Sequence, residues 1–380
     1  MNIVIQPGKL QGTVAAIPSK SVAHRMLICA AFADRPTTIV CSEVSKDIDA
    51  TVQCLRALGT QIHRTESGYQ VTPARVLPEN AWLPCGESGS TLRFMLPVVG
   101  ALGVSATFHM EGRLPQRPLS PLWGEMERMG CQLSRPTADT IFCQGQLQPG
   151  EYRISGQVSS QFITGLYLAF FVMKAPCSLQ ITDTLLSKPY VDITQAVLAR
   201  FPNGHASADY MCVEGDWSNG AFWLAAQALG NDVTVTNLDP QSPQGDRIVA
   251  HWLPRLQQEC PTICAADIPD LVPILSVVAA ANHGAVFTDI GRLRLKESDR
   301  VASTMQLIQA LGGKADATQD TLCIHGTRLR GGTVDSYRDH RIAMAAAIAA
   351  TVCTEPVTVV DAECVQKSYP KFWEDLQTLK

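Results

Sequence analysis

Residues 291–300, GRLRLKESDR, place four basic and two acidic side chains within ten positions. An apolar run precedes this segment and an amphipathic helical pattern follows it, so we expect the charges where a strand ends and a helix begins. Arg294 and Lys296 should share one face of an extended segment, and Lys296 and Arg300 should be neighbours on a first helical turn. Cations at a helix N-terminus oppose the helix dipole, which favours a bound anion that offsets them. The alternative is a solvated run of charges at the start of a helix.

The same combination recurs at other junctions between a strand and a helix. Lys20, Ser21 and Arg25 lie at the start of the helical pattern in PSKSVAHR, where two cations, a hydroxyl and backbone N–H groups could bind an anion. The Gly- and Ser-rich loop at 86–94 ends near Arg93 and could hold a phosphate or carboxylate, but it is not a Walker motif. Ordinary helix capping explains each junction alone, whereas the series favours a site for anionic substrates. The remaining junctions present Arg117; Ser159, Ser160 and Gln161; and Ser187, Lys188 and Tyr190.

Composition excludes several classes of protein. The 380 residues allow two domains, and the 46% hydrophobic and 17% charged content is that of a globular chain. A net charge of −4 argues against non-specific binding of nucleic acid. We expect neither a signal peptide nor a membrane span. The 13 cysteines are scattered without CxxC pairs, which favours reduced thiols in a cytoplasmic protein over disulfides or a zinc site.

A repeated unit organises the chain. Its order is a helix, a glycine that ends the helix, a strand, a polar turn and a second strand. Two further helices, at 191–201 and 245–259, begin in the same way but lack the two strands that follow, and the helix at 339–353 is the sixth candidate. Six related units, three in each half, therefore predict an α/β fold of the α+β type. The complete units are 47–73, 119–145 and 298–326, and the other helices are 191–201, 245–259 and 339–353.

These junctions together resemble the 5-enolpyruvylshikimate-3-phosphate (EPSP) synthase family of enolpyruvyl transferases. The matching motifs occur in the family's order over nearly the whole chain: PSKSVAHR, ESGSTLRF, LPQRPLSPL, SSQF, SKPYVDIT, VEGDWS, IPD, RLKESDR, DHRIAM and QKSYPKFW. The resemblance implies two lobes of repeated βαββαβ units around pseudo-threefold axes, with the active site in the cleft between the lobes. It implies that residues 14–214 form the lobe with the shikimate-phosphate contacts. Residues 1–13 with 215–380 would form a discontinuous second lobe with phosphoenolpyruvate and acid/base residues.

The activity that the resemblance implies is transfer of the enolpyruvyl (1-carboxyvinyl) group of phosphoenolpyruvate to the 5-hydroxyl of shikimate 3-phosphate, with release of phosphate. This transferase step belongs to the shikimate pathway, which leads to chorismate and the aromatic amino acids. The expected partners are these two small molecules, without a cofactor, a metal, nucleic acid or a membrane. We expect a cytoplasmic monomer.

The resemblance also assigns roles to individual residues. Asp270 would be the base on the attacking hydroxyl, Glu297 the acid that protonates the methylene carbon, and Lys20 a lysine shared by both substrates. Contacts to shikimate 3-phosphate would come from Lys20, Ser21, Arg25, Ser159, Ser160, Gln161, Ser187, Tyr190, Asp270 and Lys296. Contacts to phosphoenolpyruvate would come from Lys20, Gly89, Arg117, Gln161, Arg300, His340, Arg341 and Lys367.

Elementary electrostatics agrees with this assignment, with one tension. Each substrate carries a carboxylate and a phosphate, and burial of such anions requires cations that compensate them. Cations around Asp270 favour the ionised form that a base needs. The cations on either side of Glu297 also favour its ionised form, whereas an acid must carry a proton; bound anions would oppose that effect.

The chain departs from the family pattern in three places. Arg292 and Glu87 stand where many members have Asn, so neither is assigned a substrate contact. The segments after the helices at 191–201 and 245–259 are too short for the family's hairpins, so two of the six units should be trimmed. No catalytic motif falls in these gaps, and we expect activity to survive.

Three alternatives stay open at this point. The sister enzyme that acts on UDP-N-acetylglucosamine has Lys-Asn where this chain has Lys20-Ser21, and commonly a cysteine where it has Gly112. The RNA 3′-terminal phosphate cyclase has related units but would need nucleotide and RNA contacts. A non-catalytic anion-binding relative is disfavoured by the intact Asp270, Glu297 and Lys20.

Overall fold

The computed structural model describes residues 1–380, which form two compact units: residues 18–213, and residues 1–17 with 214–380. Each unit has its own hydrophobic core. The helices are α1 Lys20–Ala31, α2 Lys46–Ala57, α3 Gly89–Leu102, α4 Leu122–Arg128, α5 Ser160–Met173, α6 Lys188–Leu198, α7 Trp217–Ala228, α8 Val249–Leu256, α9 Val272–Ala281, α10 Arg300–Ala310, α11 His340–Ala349 and α12 Phe372–Thr378. None of them is both long and apolar enough to span a bilayer.

The strands are short. They are β1 Ile3–Ile5, β2 Gln11–Ala15, β3 Thr37–Val40, β4 Gln61–Arg64, β5 Gly68–Thr72, β6 Asn80–Gly86, β7 Ser105–Met110, β8 Cys131–Ser134, β9 Thr140–Gly145, β10 Glu151–Ile154, β11 Ser178–Ile181, β12 Tyr210–Cys212, β13 Asp232–Thr236, β14 Thr262–Cys264, β15 Gly284–Thr288, β16 Lys314–Ala317, β17 Thr321–His325, β18 Gly332–Asp335 and β19 Val357–Val360. Short 3₁₀ helices occupy Leu114–Gln116, Pro202–Gly204, Gly245–Ile248, Gly291–Leu295 and Ala362–Lys367.

Three four-stranded sheets share one topology, which confirms the repeat. Their strand orders are β12-β3-β5-β4, β6-β7-β9-β8 and β14-β15-β17-β16. In each sheet the first two strands are parallel and the remaining pairs are antiparallel, and the last two strands form the hairpin that the sequence pattern predicts.

The other sheets are smaller. A three-stranded sheet has the order β1-β19-β18, and two sheets consist only of a parallel pair, β10-β11 and β13-β2. No hairpin follows α6 or α8: the chain continues from α6 to β12 and from α8 to β14. The prediction of two trimmed units is therefore confirmed.

Side-chain caps fix where the helices around the polar junctions begin. Ser45, Ser88 and Ser159 accept a backbone N–H at the starts of α2, α3 and α5. Asp216, Asp299 and Asp339 do the same at α7, α10 and α11. Each cap satisfies an N–H group that the helix itself leaves unbonded, so the chemistry-bearing residues that follow are held in a defined first turn.

The prediction for residues 291–300 is wrong in two respects. Residues Gly291–Leu295 form a 3₁₀ helix and not an extended segment, and Lys296 precedes α10, which begins at Arg300. Leu293 is buried whereas Leu295 is 46% exposed, so the alternation of apolar and basic residues does not mark a strand with one buried face.

Candidate active site: two clusters of cations at helix N-termini

The polar junctions of residues 18–213 form one cluster, which we call the Lys20 cluster. It comprises Lys20, Ser21, Arg25, Gly89, Arg93, Arg117, Ser159, Ser160, Gln161, Ser187 and Tyr190. The Nζ of Lys20 lies 2.8 Å from Oδ2 of Asp47, a nearly buried carboxylate in the first turn of α2. This pair fixes the lysine at the start of α1.

Arg25 connects three helices. Its Nε donates to Oγ1 of Thr194 at 2.8 Å, and its Nη2 donates to Oγ1 of Thr164 at 3.2 Å and to the carbonyl of Tyr190 at 3.0 Å. Its Nη1 donates to the carbonyl of Ser21. Burial lowers the pKa of Arg25 to about 9, which leaves the guanidinium charged at neutral pH. The residue is therefore a fixed cation that also ties α1 to α5 and α6.

Gly89 is the point where two further guanidinium groups converge. A methyl group at this position would lie 2.7 Å from Nη1 of Arg117 and 2.8 Å from Nη1 of Arg93. Nη1 of Arg93 donates to Oε1 of Gln161 at 2.9 Å, and Nε2 of Gln161 donates to Oγ of Ser90 at 3.0 Å. The loop thus presents a backbone without a side chain beside two arginines, which suits a phosphate or carboxylate.

A glycine in α5 makes this arrangement possible. A Cβ at Gly165 would lie 2.2 Å from the carbonyl oxygen of Arg93, so α5 could not approach α3 as closely with any other residue there. Gln161 lies one helical turn before Gly165 and consequently reaches Arg93. Arg93 had no contact assigned to it from the sequence. The signal that could have identified it is its spacing of four residues from Gly89, which puts both on one face of α3.

The remaining residues of the Lys20 cluster lie at the starts of α5 and α6. The hydroxyl of Ser159 accepts from the N–H of Gln161 at 3.3 Å, and Ser160 is buried. Ser187 is buried with a left-handed backbone, and Tyr190 is half-buried. Lys188, by contrast, points to solvent and pairs with Asp192 on the surface. Lys188 therefore fits the alternative interpretation, a solvated charge at the start of a helix.

Glu87 has a defined neighbour. A Cβ at Gly112 would lie 2.7 Å from Cδ of Glu87, so the carboxyl group packs over the backbone of Gly112. Gly112 also has a φ of +57°, where a side chain would be strained. Both features require glycine at 112.

The polar junctions of the other unit form the Arg300 cluster. It comprises Asp270, Lys296, Glu297, Arg300, Asp339, His340, Arg341 and Lys367. Arg300 is buried among three carboxylates: Nε lies 2.9 Å from Oδ2 of Asp339, Nη1 lies 2.7 Å from Oδ1 of Asp270, and Nη2 lies 2.7 Å from Oε2 of Glu297. The charge of this arginine at the start of α10 is thus offset by the protein itself.

Asp270 bridges two guanidinium groups. Its Oδ2 lies 3.2 Å from Nη2 of Arg341, and its Oδ1 accepts from Arg300. Burial alone would raise the pKa of Asp270, but Arg341, Arg300 and Lys296 together hold that pKa well below its usual range. The carboxylate is therefore ionised, as a base must be.

Arg341 and Asp339 share the start of α11. Nη1 of Arg341 donates to the carbonyl of Ser218 at 2.8 Å, and Oδ1 of Asp339 accepts from the N–H of Arg341 at 3.0 Å. Asp339 therefore caps α11 and also binds Arg300 of α10. Sequence reasoning did not identify this carboxylate; the signal was an Asp directly before the His340-Arg341 pair, at a helix N-cap position.

Three further members of the Arg300 cluster were expected from the sequence. The pKa of Lys296 is lowered to about 8, chiefly by burial; Arg292 and Arg300 act in the same direction, and Asp270 opposes them. His340 is buried, with Nδ1 at 3.9 Å from Oδ1 of Asp339. Lys367 is 8% exposed at the end of the last 3₁₀ helix.

Groups of three or more His, Cys, Asp or Glu side chains that could hold a metal ion are absent.

The fold of this chain is shared with solved enolpyruvyl transferases. The fold is similar to that of an EPSP synthase from Acinetobacter baumannii, with a TM-score of 0.79, 20% identity, and coverage of 100% of this chain and 98% of that chain. It is also similar to the enolpyruvyl transferase NikO from Streptomyces tendae, with a TM-score of 0.74, 17% identity, and coverage of 100% and 97%. Identities this low establish the fold alone.

Sequence comparison narrows the class. A model of the EPSP synthase (3-phosphoshikimate 1-carboxyvinyltransferase) family matches residues 4–376. A 3-phosphoshikimate 1-carboxyvinyltransferase of Clostridium kluyveri is 37% identical, over 99% of this chain and 97% of the relative. One from Clostridium acetobutylicum is 36% identical, over 100% and 97%. The chain belongs to the EPSP synthase family and is an enzyme, a transferase.

Proposed function

We propose that the Lys20 cluster and the Arg300 cluster each supply part of the machinery for enolpyruvyl transfer. The family gives the reaction: the enolpyruvyl group of phosphoenolpyruvate moves to the 5-hydroxyl of shikimate 3-phosphate, and phosphate is released, in the pathway to chorismate and the aromatic amino acids. UDP-N-acetylglucosamine is not favoured as the acceptor, because the family model and the curated relatives carry the shikimate name. One observation carries the proposal of residue roles: an ionised Asp270 held between Arg300 and Arg341.

The Arg300 cluster is proposed to perform the proton transfers. In the addition, the 5-hydroxyl oxygen bonds to C2 of phosphoenolpyruvate while Asp270 takes the hydroxyl proton and Glu297 delivers a proton to the methylene carbon. In the elimination, the methyl group so formed returns a proton to Glu297 and the bond from C2 to the phosphate oxygen breaks, which restores the double bond and releases phosphate. Both carboxylates bind Arg300, and a carboxylate stabilised in this way is a weak base.

Substrate anions resolve this difficulty. When the phosphate or carboxylate of phosphoenolpyruvate binds Arg300 and Arg341, the bound anion neutralises part of the charge that stabilises ionised Asp270. The pKa of Asp270 then rises toward the range of an effective base. His340 and Lys367 are proposed to contribute to the same anion contacts, and Lys296 is proposed to bind the hydroxyl region of the shikimate.

The Lys20 cluster is proposed to hold anionic and hydroxyl groups of both substrates. Its supporting features are the buried cation of Arg25, the bare backbone at Gly89 between Arg93 and Arg117, and hydroxyl groups at helix starts. Lys20, Gly89, Arg117 and Gln161 are assigned to phosphoenolpyruvate. Lys20, Ser21, Arg25, Ser159, Ser160, Gln161, Ser187 and Tyr190 are assigned to shikimate 3-phosphate.

Phosphate release tests the proposal. With phosphoenolpyruvate present, shikimate 3-phosphate should support turnover, and UDP-N-acetylglucosamine should not. Asp270→Asn should lower kcat by about 10²–10⁴-fold, the usual contribution of a general acid or base. Asp267→Asn, in the same loop but exposed, is the matched control and should retain activity. Full activity of Asp270→Asn would contradict the assigned role of Asp270.

The monomeric state and cytoplasmic location expected from the sequence stay predictions. Light scattering on the purified protein, with and without both substrates, measures the first. Fractionation of cells that express the chain measures the second.

A further inference from the structure

A polar loop, residues 239–246, is fastened to the segment that leads into α7. Nε2 of Gln244 donates to the carbonyl of Gly215 and to Oε1 of Glu214, both at 2.8 Å, and Oε1 of Gln244 accepts from the N–H of Trp217 at 3.1 Å. The hydroxyl of Ser242 donates to the same Glu214 carboxylate at 2.8 Å. These bonds fix the first turn of α7 relative to the 239–246 loop.

Asp246, at the end of this loop, is a buried carboxylate that the assigned roles do not use. It is 3% exposed, its Oδ2 accepts from the hydroxyl of Ser218, and its Oδ1 has no hydrogen-bond partner. No cation forms an ion pair with it. A buried carboxylate with an unbonded oxygen is costly to the fold, so its presence calls for an explanation in function.

Ser218 links Asp246 to the Arg300 cluster. The hydroxyl of Ser218 donates to Asp246, and the carbonyl of the same residue accepts from Nη1 of Arg341 at 2.8 Å. Arg341 in turn contacts Asp270. The charged groups that face Asp246 are Asp270, just before α9; Arg341, on α11; and Asp216, at the N-cap of α7.

The charge of Asp246 can change near neutral pH. The pKa of Asp246 is raised to about 7, chiefly by burial and then by the negative charge of Asp270; the hydrogen bond from Ser218 and the positive charge of Arg341 oppose the rise. The carboxyl is therefore protonated in mildly acidic solution and ionised in mildly alkaline solution. The ionised form adds a negative charge next to Arg341, and that charge repels an anion bound to the arginine.

We propose that Asp246 is a positioning residue for Arg341, which it supports through Ser218, and that loss of its proton weakens the binding of anionic substrate at Arg341. The proposal rests on the assignment of Arg341 to phosphoenolpyruvate. The binding of phosphoenolpyruvate would then depend on pH through Asp246, a residue that does not itself contact the substrate.

Asp246→Asn is the test, because the amide keeps an acceptor for Ser218 and cannot ionise. Phosphoenolpyruvate changes its own charge in this range, so the readout is the ratio of variant to wild-type KM at each pH. The ratio for phosphoenolpyruvate should fall by about fivefold or more between about pH 6 and pH 8, as expected for a coupling between two linked sites. The KM for shikimate 3-phosphate should change less.

Two further variants complete the design. Asp239→Asn changes an exposed carboxylate in the same loop and should behave as wild type, since Oδ1 of the Asp239 side chain accepts from the nearby N–H of Gln241, a bond that the asparagine oxygen can also make. Ser218→Ala keeps the carbonyl that holds Arg341 but removes the hydroxyl, so the pH at which KM changes should move upward. This variant keeps the proposal testable if Asp246→Asn does not fold.

A KM ratio independent of pH for Asp246→Asn, with no upward movement in Ser218→Ala, would overturn the proposal. Failure of the assignment of Arg341 would look different, because Arg341→Lys would then leave the KM for phosphoenolpyruvate unchanged while Asp246 still titrates. Carboxyl carbon NMR of the wild type, assigned with Asp246→Asn, follows the titration of Asp246 without any turnover. Absence of a titration near pH 7 in that spectrum would also overturn the proposal.

Discussion

Gly89→Ala should separate the binding of the two substrates. The added methyl group would lie 2.7 Å from Nη1 and 3.2 Å from Cζ of Arg117, and 2.8 Å from Nη1 of Arg93. Arg93 cannot simply swing away, because Gln161 and the carbonyl of Pro118 hold its two terminal nitrogens. The methyl group therefore forces both guanidinium groups outward or blocks the anion that they would bind.

The size of the effect follows from these distances. Restoring ordinary contact at about 3.4 Å requires the guanidinium groups to move by roughly 0.6 Å. A displacement of about 1 Å in a binding or catalytic group can cost about 100-fold, so we expect roughly a tenfold increase in the KM for phosphoenolpyruvate. The KM for shikimate 3-phosphate should change less, because Arg25 is anchored independently by Thr194 and Thr164.

Stability should not follow the loss of binding. Gly89 is the first residue of α3 and its backbone is not in the left-handed region, so the backbone accepts alanine. The helix propensity of alanine, up to about 1 kcal/mol, offsets part of the cost of displacing the two guanidinium groups. Phosphate release at saturating concentrations of each substrate in turn gives the two KM values, and thermal unfolding gives stability. Gly124→Ala, in α4 with open space around it, is the control. Equal shifts in both KM values, or no shift in either, would refute the assignment of the loop to phosphoenolpyruvate.

Three other predictions concern the buried side chains of Lys296 and His24 and the expected independence of turnover from metal ions. Since burial lowers the pKa of Lys296 to about 8, its charge is present below that pH and lost above it; kcat/KM for shikimate 3-phosphate should therefore fall above about pH 8, and Lys296→Arg should move that fall to higher pH. Burial lowers the pKa of His24 to about 3, so the folded chain keeps this histidine neutral while the unfolded chain takes up a proton below about pH 6.5. The free energy of unfolding, measured in urea, should therefore decrease as the pH falls from about 6.5 to about 4.5. In His24→Asn this decrease should be smaller than in the wild type by on the order of 2 kcal/mol. Chelators should leave turnover intact, because the cations of the two clusters can neutralise the substrate charges; complete loss restored by one divalent ion would contradict this.

Local sequence patterns predicted most of the architecture. Helix caps, glycines after helices and polar turns between short strands act over a few residues. The three complete units all carry the glycine and the polar turn, and the helices α2 and α10, but not α4, also begin with a side-chain cap. The two trimmed units were visible as segments too short for a hairpin. The 3₁₀ helix at Gly291–Leu295 was missed, because alternating leucine and arginine fits a strand by period alone, whereas only Leu293 has a core to enter.

The clusters could be predicted only in part. The types and order of residues indicated which junctions carry cations, but the partners of those cations are remote in sequence. Arg93 meets Gln161 across 68 positions, and Arg341 meets Ser218 across 123. No local period encodes such pairs. The role of Gly165, which allows α3 and α5 to approach each other, could not be predicted from the sequence either, because it depends on which helix packs against this residue.

The partners of Arg300 change the physical picture that the sequence suggested. The sequence pattern indicated that cations at the start of α10 need an external anion, yet Asp339 supplies one from 39 positions away, and Asp270 and Glu297 complete the shell. If phosphoenolpyruvate binds Arg300 as proposed, its anionic group must compete with carboxylates that are already in place, and its net binding energy is smaller than the number of cations implies. The competition has a chemical use. A carboxylate that loses part of its hold on a guanidinium group becomes more basic, so phosphoenolpyruvate would activate Asp270 in the act of binding, and Asp270 would remain a weak base whenever the anion is absent.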